Sequence, residues 1–174
     1  MIIEYTLSES ARNLAHRWHS EKMYGYVPFV NHLEDVVSYV IRFKSCIPDG
    51  IDLETMIAAA YLHDIMEDTE CPEAAIIENS SLKVFELVSA VTTDPSKKIR
   101  KYRYDEAFFL KLRETEGAVF LKLCDRISNT FHCKQDPRFK SLLKAYLKEN
   151  EIFVRVCSGL GYDLMFDELK ALSN

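Results

Sequence analysis

The sequence predicts an all-α domain. Apolar residues recur at helical spacing through most of the 174 residues, cap and turn signals punctuate them, and no stretch sustains the two-residue alternation of a strand. No repeat and no low-complexity linker interrupts the pattern, so residues 1–174 are expected to form a single domain, long enough to bury roughly 70% of its unfolded surface.

Taken in order, Thr6-Leu-Ser-Glu9 has the spacing of a capping box and places the start of a first helix near Ser8, with an end before Gly25. Tyr24 to His32 reads as a short loop feeding a second helix, with Pro28 in its first turn and a stripe of Val30, Leu33, Val36, Val37, Val40 and Ile41. Ile47-Pro-Asp-Gly50 breaks the chain. A third helix is expected from about Leu53 through Asp68, stopped by Cys71-Pro72. Helices over 72–79 and 82–91 follow, the latter with Phe85, Leu87, Val88 and Val91 inward, and Thr92-Thr-Asp-Pro-Ser96 is a turn. Lys97 to Tyr104 forms a basic, tyrosine-containing patch, a stretch that equally suits a solvated loop. Helices over 105–113, 118–132, 139–157 and 162–172 complete the chain, with a turn at Gly159-Leu-Gly161. The helix over 139–157 is expected to complete the bundle, and a partner interface such as a homodimer stays open for it.

Composition narrows the function classes. The chain is 48% hydrophobic and 28% charged, ordinary for a soluble globular protein. A net charge of -5 argues against coating a nucleic-acid polymer. The five cysteines are scattered without a CxxC pair, so neither a thiolate zinc site nor a disulfide framework is indicated, and they suit a reducing cytoplasm. Residues 1–5 lack the basic and apolar regions of a signal peptide, and no window reaches 18 uncharged apolar residues, so no membrane segment is expected.

The chemistry concentrates in Ala58 to Thr69. An apolar, helix-favouring run leads into His63, Asp64, Glu67 and Asp68, and on a continuous helix His63 and Glu67, like Asp64 and Asp68, share a face. Three carboxylates so close together repel unless a cation neutralises them, although an acidic, solvated helix end has the same composition. Asp125 sits among mostly apolar neighbours in Val119 to Asn129, where an unpartnered charge costs several kcal/mol; Arg126 is a candidate partner for it. His32, His63, Asp64 and Asp125 lie on three separate helices that a bundle can converge. Two imidazoles and two carboxylates make a mixed N/O site for manganese, iron, zinc or magnesium, with open positions for water and substrate. A metal of this kind lowers the pKa of its water from about 15.7 towards roughly 7, and Glu67 and Asp68 are placed to orient or deprotonate that water.

Four blocks in order, Gly25 to His32, Ala59 to Thr69, Val91 to Asp94 and Leu121 to Asn129, resemble the HD superfamily of metal-dependent phosphohydrolases, and within it the (p)ppGpp hydrolase branch of Rel/SpoT proteins and small stand-alone homologues. The resemblance implies an HD-domain helical bundle in which His32, His63, Asp64 and Asp125 bind a divalent ion, typically Mn2+. It implies Glu67 and Asp68 as the catalytic acidic pair, Asn129 as a nucleotide contact, and release of pyrophosphate from a 3′-pyrophosphate ester. Substrate contacts are expected from Lys22, Asn129 and the basic stretch: Lys97, Lys98, Arg100, Lys101, Arg103 and Tyr104, with Tyr102 or Tyr104 stacking on a base. Where the family carries an Arg-Lys pair ahead of its first block, this chain offers Lys22 alone, and His132 stands where a Thr is expected. The catalytic layer therefore transfers more fully than the specificity layer. An HD nucleotidase or pyrophosphohydrolase on other nucleotides, and a non-catalytic nucleotide-sensing module, are the alternative functions.

Overall fold

The computed structural model describes residues 5–173 and is a helical bundle with one minimal hairpin. The reading of the extreme N-terminus as lacking a leader rests on residues 1–5, of which 1–4 lie outside the described residues. The helices are α1 Leu7–Trp18, α2 Val30–Arg42, α3 Leu53–Leu62, α4 Ile65–Asp68, α5 Glu73–Glu78, α6 Leu82–Val91, α7 Arg100–Arg103, α8 Glu106–Leu112, α9 Ala118–Gln135, α10 Lys140–Cys157 and α11 Asp163–Ser173. None is long and apolar enough to cross a membrane.

The expected Thr6 cap is present, and the structure adds two more side-chain caps. Thr6 caps α1 in a complete capping box with Glu9, Asp52 accepts the Thr55 N–H at 2.7 Å to open α3, and Ser81 opens α6. Two helices organise the core. α3 is apolar from Met56 to Leu62; Ala58, Ala59 and Ala60 are fully buried, and their small side chains let α1, α2 and α6 pack closely around it. α9 is buried from Ala118 through Thr130 and is flanked by α2, α3, α6, α10 and α11. Most of its inward residues are apolar, but Lys122, Asp125, Arg126, Ser128, Asn129 and Thr130 put a polar strip into the middle of the protein.

Three sequence expectations are corrected. The loop over 24–32 contains a minimal antiparallel hairpin, β1 Met23–Tyr24 with β2 Val27–Pro28, turned at Gly25 with φ +63°. Pro28 therefore ends a strand, and α2 starts at Val30. The third helix does not run through the acidic stretch. His63 Nδ1 bonds the Ala60 carbonyl at 2.8 Å, Asp64 takes φ −104° and ψ 0°, and α4 restarts from the Asp64 carbonyl. Within the basic stretch, 100–103 folds into one helical turn rather than a loop.

Gly117 precedes α9 at φ +85°, and an added Cβ there would lie 2.3 Å from Ile51 Cδ1 and 3.2 Å from Leu87 Cδ2. Left-handed backbone and a crowded core act together at Gly117, so Gly117→Ala is expected to destabilise the protein by about 1–3 kcal/mol. Thermal unfolding checks this; a melting temperature equal to the wild type's would remove Gly117 as a constraint on the start of α9.

Candidate metal and nucleotide site

α2, the α3–α4 break and α9 each deliver ligand-type atoms to one point. His32 Nε2 and His63 Nε2 lie 3.5 Å and 3.6 Å from Asp125 Oδ1, and all three side chains are buried. These three donor atoms fall within 4.8 Å of one another, a grouping suited to a single metal ion. Asp64 Oδ2 stands beside them, 3.2 Å from His63 Nε2 and 3.8 Å from His32 Nε2. The helix break makes this possible, because consecutive residues on a regular helix diverge by roughly 100° and would not both face one ion.

The donor set fits a divalent cation on a specific observation. A carbonyl only accepts, so His63 Nδ1 donates to Ala60 O, and when the ring is neutral its lone pair lies on Nε2. That Nε2 is buried and has no hydrogen-bond partner. A ligating histidine commonly has its other nitrogen held by a backbone carbonyl in this way. His32 Nδ1 lies 3.3 Å from Ser128 Oγ, so its Nε2 also turns inward. His16 and His19 stay outside the group: His16 approaches Glu34, while His19 bonds Ala15 O and stacks on Phe29.

The electrostatics are those of a concentrated charge cluster. Burial would raise the Asp125 carboxyl, but Lys122 and the two imidazoles hold it well below the usual carboxylate range. Burial likewise opposes charge on Lys122 and His63. Asp125 nevertheless holds the Lys122 ammonium high, and Asp64 with Asp125 holds the His63 imidazole well above the ordinary histidine range. Lys122 Nζ contacts Asp125 Oδ2 at 2.8 Å. This ammonium, not Arg126, is the ion-pair partner of Asp125. Arg126 turns instead to Glu149 at 2.7 Å, the Asn150 side chain at 3.0 Å and the Tyr146 carbonyl. The Lys122 signal was present in the sequence as an (i, i+3) pair within an apolar helix.

The two acidic residues after the break diverge in environment. Glu67 Oε1 accepts the Thr93 N–H at 2.6 Å, and burial raises its carboxyl above the ordinary range, with Lys122 opposing and Asp64 adding to the shift. Asp68 is ion-paired with Lys22, whose ammonium also lies 4.2 Å from the Phe29 ring centre.

A cavity of about 270 Å³ opens over the group. Of the expected substrate contacts it gathers Lys22, Arg100, Arg103, Tyr104 and Asn129. It leaves out Lys97, which pairs with Asp105 at 3.0 Å, and the exposed Lys98 and Lys101. The helical turn of α7 explains the split: positions 100 and 103 share a face, and 101 points elsewhere. Nor is either tyrosine an open stacking platform. Tyr102 is outside the cavity, and Tyr104 has the Arg100 and Arg126 guanidinium groups over its ring. Asn129 accepts from the Tyr24 and Tyr146 hydroxyls, at 2.5 Å and 3.2 Å, and donates to Asp125. Sequence reasoning missed Tyr24, Tyr146 and Glu149, because their roles depend on contacts between elements far apart in the chain.

No family model matches the chain. It is 32% identical over 130 residues to a guanosine-3′,5′-bis(diphosphate) 3′-pyrophosphohydrolase of Aquifex aeolicus (strain VF5), across 70% of this chain and 17% of that protein. It is 32% identical over 116 residues to the Drosophila melanogaster guanosine-3′,5′-bis(diphosphate) 3′-pyrophosphohydrolase MESH1, across 66% of this chain and 60% of that protein. The chain thus spans less than two thirds of the length of either curated relative. Among solved structures, a metazoan ortholog of SpoT described as hydrolysing ppGpp and acting in starvation responses superposes with a TM-score of 0.76. It shares 20% identity, over 99% of this chain and 96% of that one. In sequence the chain resembles part of each of these ppGpp hydrolases, and in fold it resembles the metazoan SpoT ortholog.

Proposed function

We propose that the chain is a cytoplasmic, divalent-metal-dependent phosphohydrolase of a small phosphorylated nucleotide, with guanosine 3′,5′-bis(diphosphate) as its first candidate substrate. The observation that carries this reading is the buried His32–His63–Asp125 group with an unpartnered imidazole nitrogen, set beside a raised carboxyl and facing a cationic wall. The two curated relatives are named for that reaction, and the five free cysteines suit a reducing compartment.

In this scheme His32, His63, Asp64 and Asp125 hold the ion, with manganese the first choice for a mixed nitrogen and oxygen donor set. A divalent ion there supplies the positive charge that acidifies a water and offsets phosphate charge. Glu67 is fixed through Oε1 by the Thr93 N–H, which leaves Oε2 to take the proton of the attacking water. Asp68 keeps Lys22 at the cavity edge. Arg100, Arg103 and Asn129 orient the nucleotide. Hydrolysis places the water oxygen on phosphorus and a proton on the ribose 3′ oxygen, releasing pyrophosphate. Because Lys22 is committed to Asp68 and no Arg-Lys pair precedes the hairpin, other nucleotides belong in the substrate panel.

The decisive assay is manganese-supplemented hydrolysis of ppGpp beside common nucleoside mono-, di- and triphosphates, with Asp64→Ala as the blank. Pyrophosphate from ppGpp is expected. Phosphate from other nucleotides alone would transfer the scheme to the nucleotidase alternative, and no turnover by a manganese-loaded protein would favour the sensing one. Glu67→Gln is expected to lower kcat by about 10²–10⁴-fold while manganese affinity, read by calorimetry, stays within a few-fold. Equal turnover by Glu67→Gln would remove it as the base. Asp125→Asn is expected to weaken manganese binding at least about 10-fold by the same calorimetry, and unchanged affinity would dissolve the ligand set.

A further inference from the structure

The cationic wall of the catalytic cavity also forms one side of a second groove, of about 500 Å³, between α7 and α10. Arg100 and Tyr104 line both spaces. The groove adds Lys101 from α7 and Lys144 and Lys148 from α10, with Ile152 as part of an apolar floor. Its one carboxylate is already engaged: Glu149 accepts two bonds from Arg100, at 2.6 Å and 2.9 Å, and one from Arg126 at 2.7 Å. Among the described residues, Lys101, Lys144 and Lys148 form no ion pair with any acidic side chain. Lys144 and Lys148 are four apart on one helix face, an arrangement that costs repulsion. In a chain of net charge -5, this local excess of positive charge is left for a ligand to neutralise.

The partition between the two spaces is rigidly built. The Arg100 guanidinium lies 4.7 Å from the Tyr104 ring centre and 4.8 Å from that of Tyr146, and Glu149 fixes its Nε and Nη2. Its Nη1 has no hydrogen-bond partner among the described residues. A ligand that satisfies one arginine and three lysines spread over two helices must carry several negative charges along its length. That is the chemistry of an oligophosphate chain.

We propose that the α7–α10 groove is an oligophosphate-binding site contiguous with the catalytic cavity through Arg100. The phosphates are either the far arm of the nucleotide being cleaved or those of a separate phosphorylated effector. Identifying which of the two rests on the hydrolase reading above, whereas the existence of the site does not.

Calorimetric titration of the full chain with inorganic tripolyphosphate tests the site directly. Lys144→Glu/Lys148→Glu is expected to weaken binding at least 10-fold. Both side chains are exposed, so the variant should melt like the wild type. Lys44→Glu/Lys134→Glu makes the same charge change outside the groove and is expected to leave affinity within twofold. No binding by the wild type, or equal weakening by both double variants, would overturn the proposal. In ppGpp turnover, a KM raised at least 10-fold by Lys144→Glu/Lys148→Glu at unchanged kcat assigns the groove to the substrate's far phosphates. An unchanged KM, with tripolyphosphate altering the rate of the wild type alone, assigns it to an effector. If the wild type hydrolyses no nucleotide, the hydrolase reading fails and the titration still decides the groove.

Discussion

A carboxylate at the centre of a buried helix is the constraint on which the rest of this structure depends. Asp125 lies buried in α9 at the base of the cavity, and an isolated charge there would cost far more than a domain of this size can spare. Its surroundings answer that cost in layers. Lys122 reaches one oxygen from the previous turn of the same helix, and two imidazoles from α2 and the end of α3 approach the other. Each contact requires the helices to sit where they do. The packing of α9 against α2 and α3 is therefore electrostatic accommodation as well as apolar burial.

A second cluster sits beside the first with the signs exchanged. Glu149 on α10 is almost fully buried and satisfied by two guanidinium groups, which are themselves flanked by the rings of Tyr104 and Tyr146. One buried acid thus fixes two cations, just as Asp125 gathers Lys122 and two histidines. The cavity lies between these clusters, with carboxylates and imidazoles on one wall and arginines on the other. A phosphorylated nucleotide needs both: electrophilic help at the scissile phosphorus and cationic contacts for the remaining phosphates.

Much of the fold was legible in the sequence because it rests on local signals. Helical apolar spacing and the Thr6 capping box act over one or two turns, and the helices form where those residues place them. The convergence of His32, His63 and Asp125 was legible for another reason: each is a polar residue on a face otherwise committed to the core. What stayed hidden depends on non-local contacts or on backbone detail. Lys97, Lys98 and Lys101 could not be separated from Arg100 and Arg103 without knowing that 100–103 forms a helical turn. The partner of Arg126 lies on a helix more than twenty residues away, and the pairing of Tyr24 with Asn129 closes a separation of 105 residues. The break at His63 escaped notice because nothing in Leu-His-Asp-Ile disfavours a helix; the interruption is stabilised by the His63 ring itself.

That break bears on how the protein tolerates change. The orientation of His63 and Asp64 relative to one another is fixed over a few residues, by the Ala60 carbonyl and the backbone angles of Asp64, and not by the many contacts that hold α3 in the core. Substitutions elsewhere along α3 can loosen or tighten its packing without rotating one of these side chains away from the other. The two properties are thereby decoupled along the lineage of such a chain: the interior is free to drift in sequence while the pair of side chains keeps its aim.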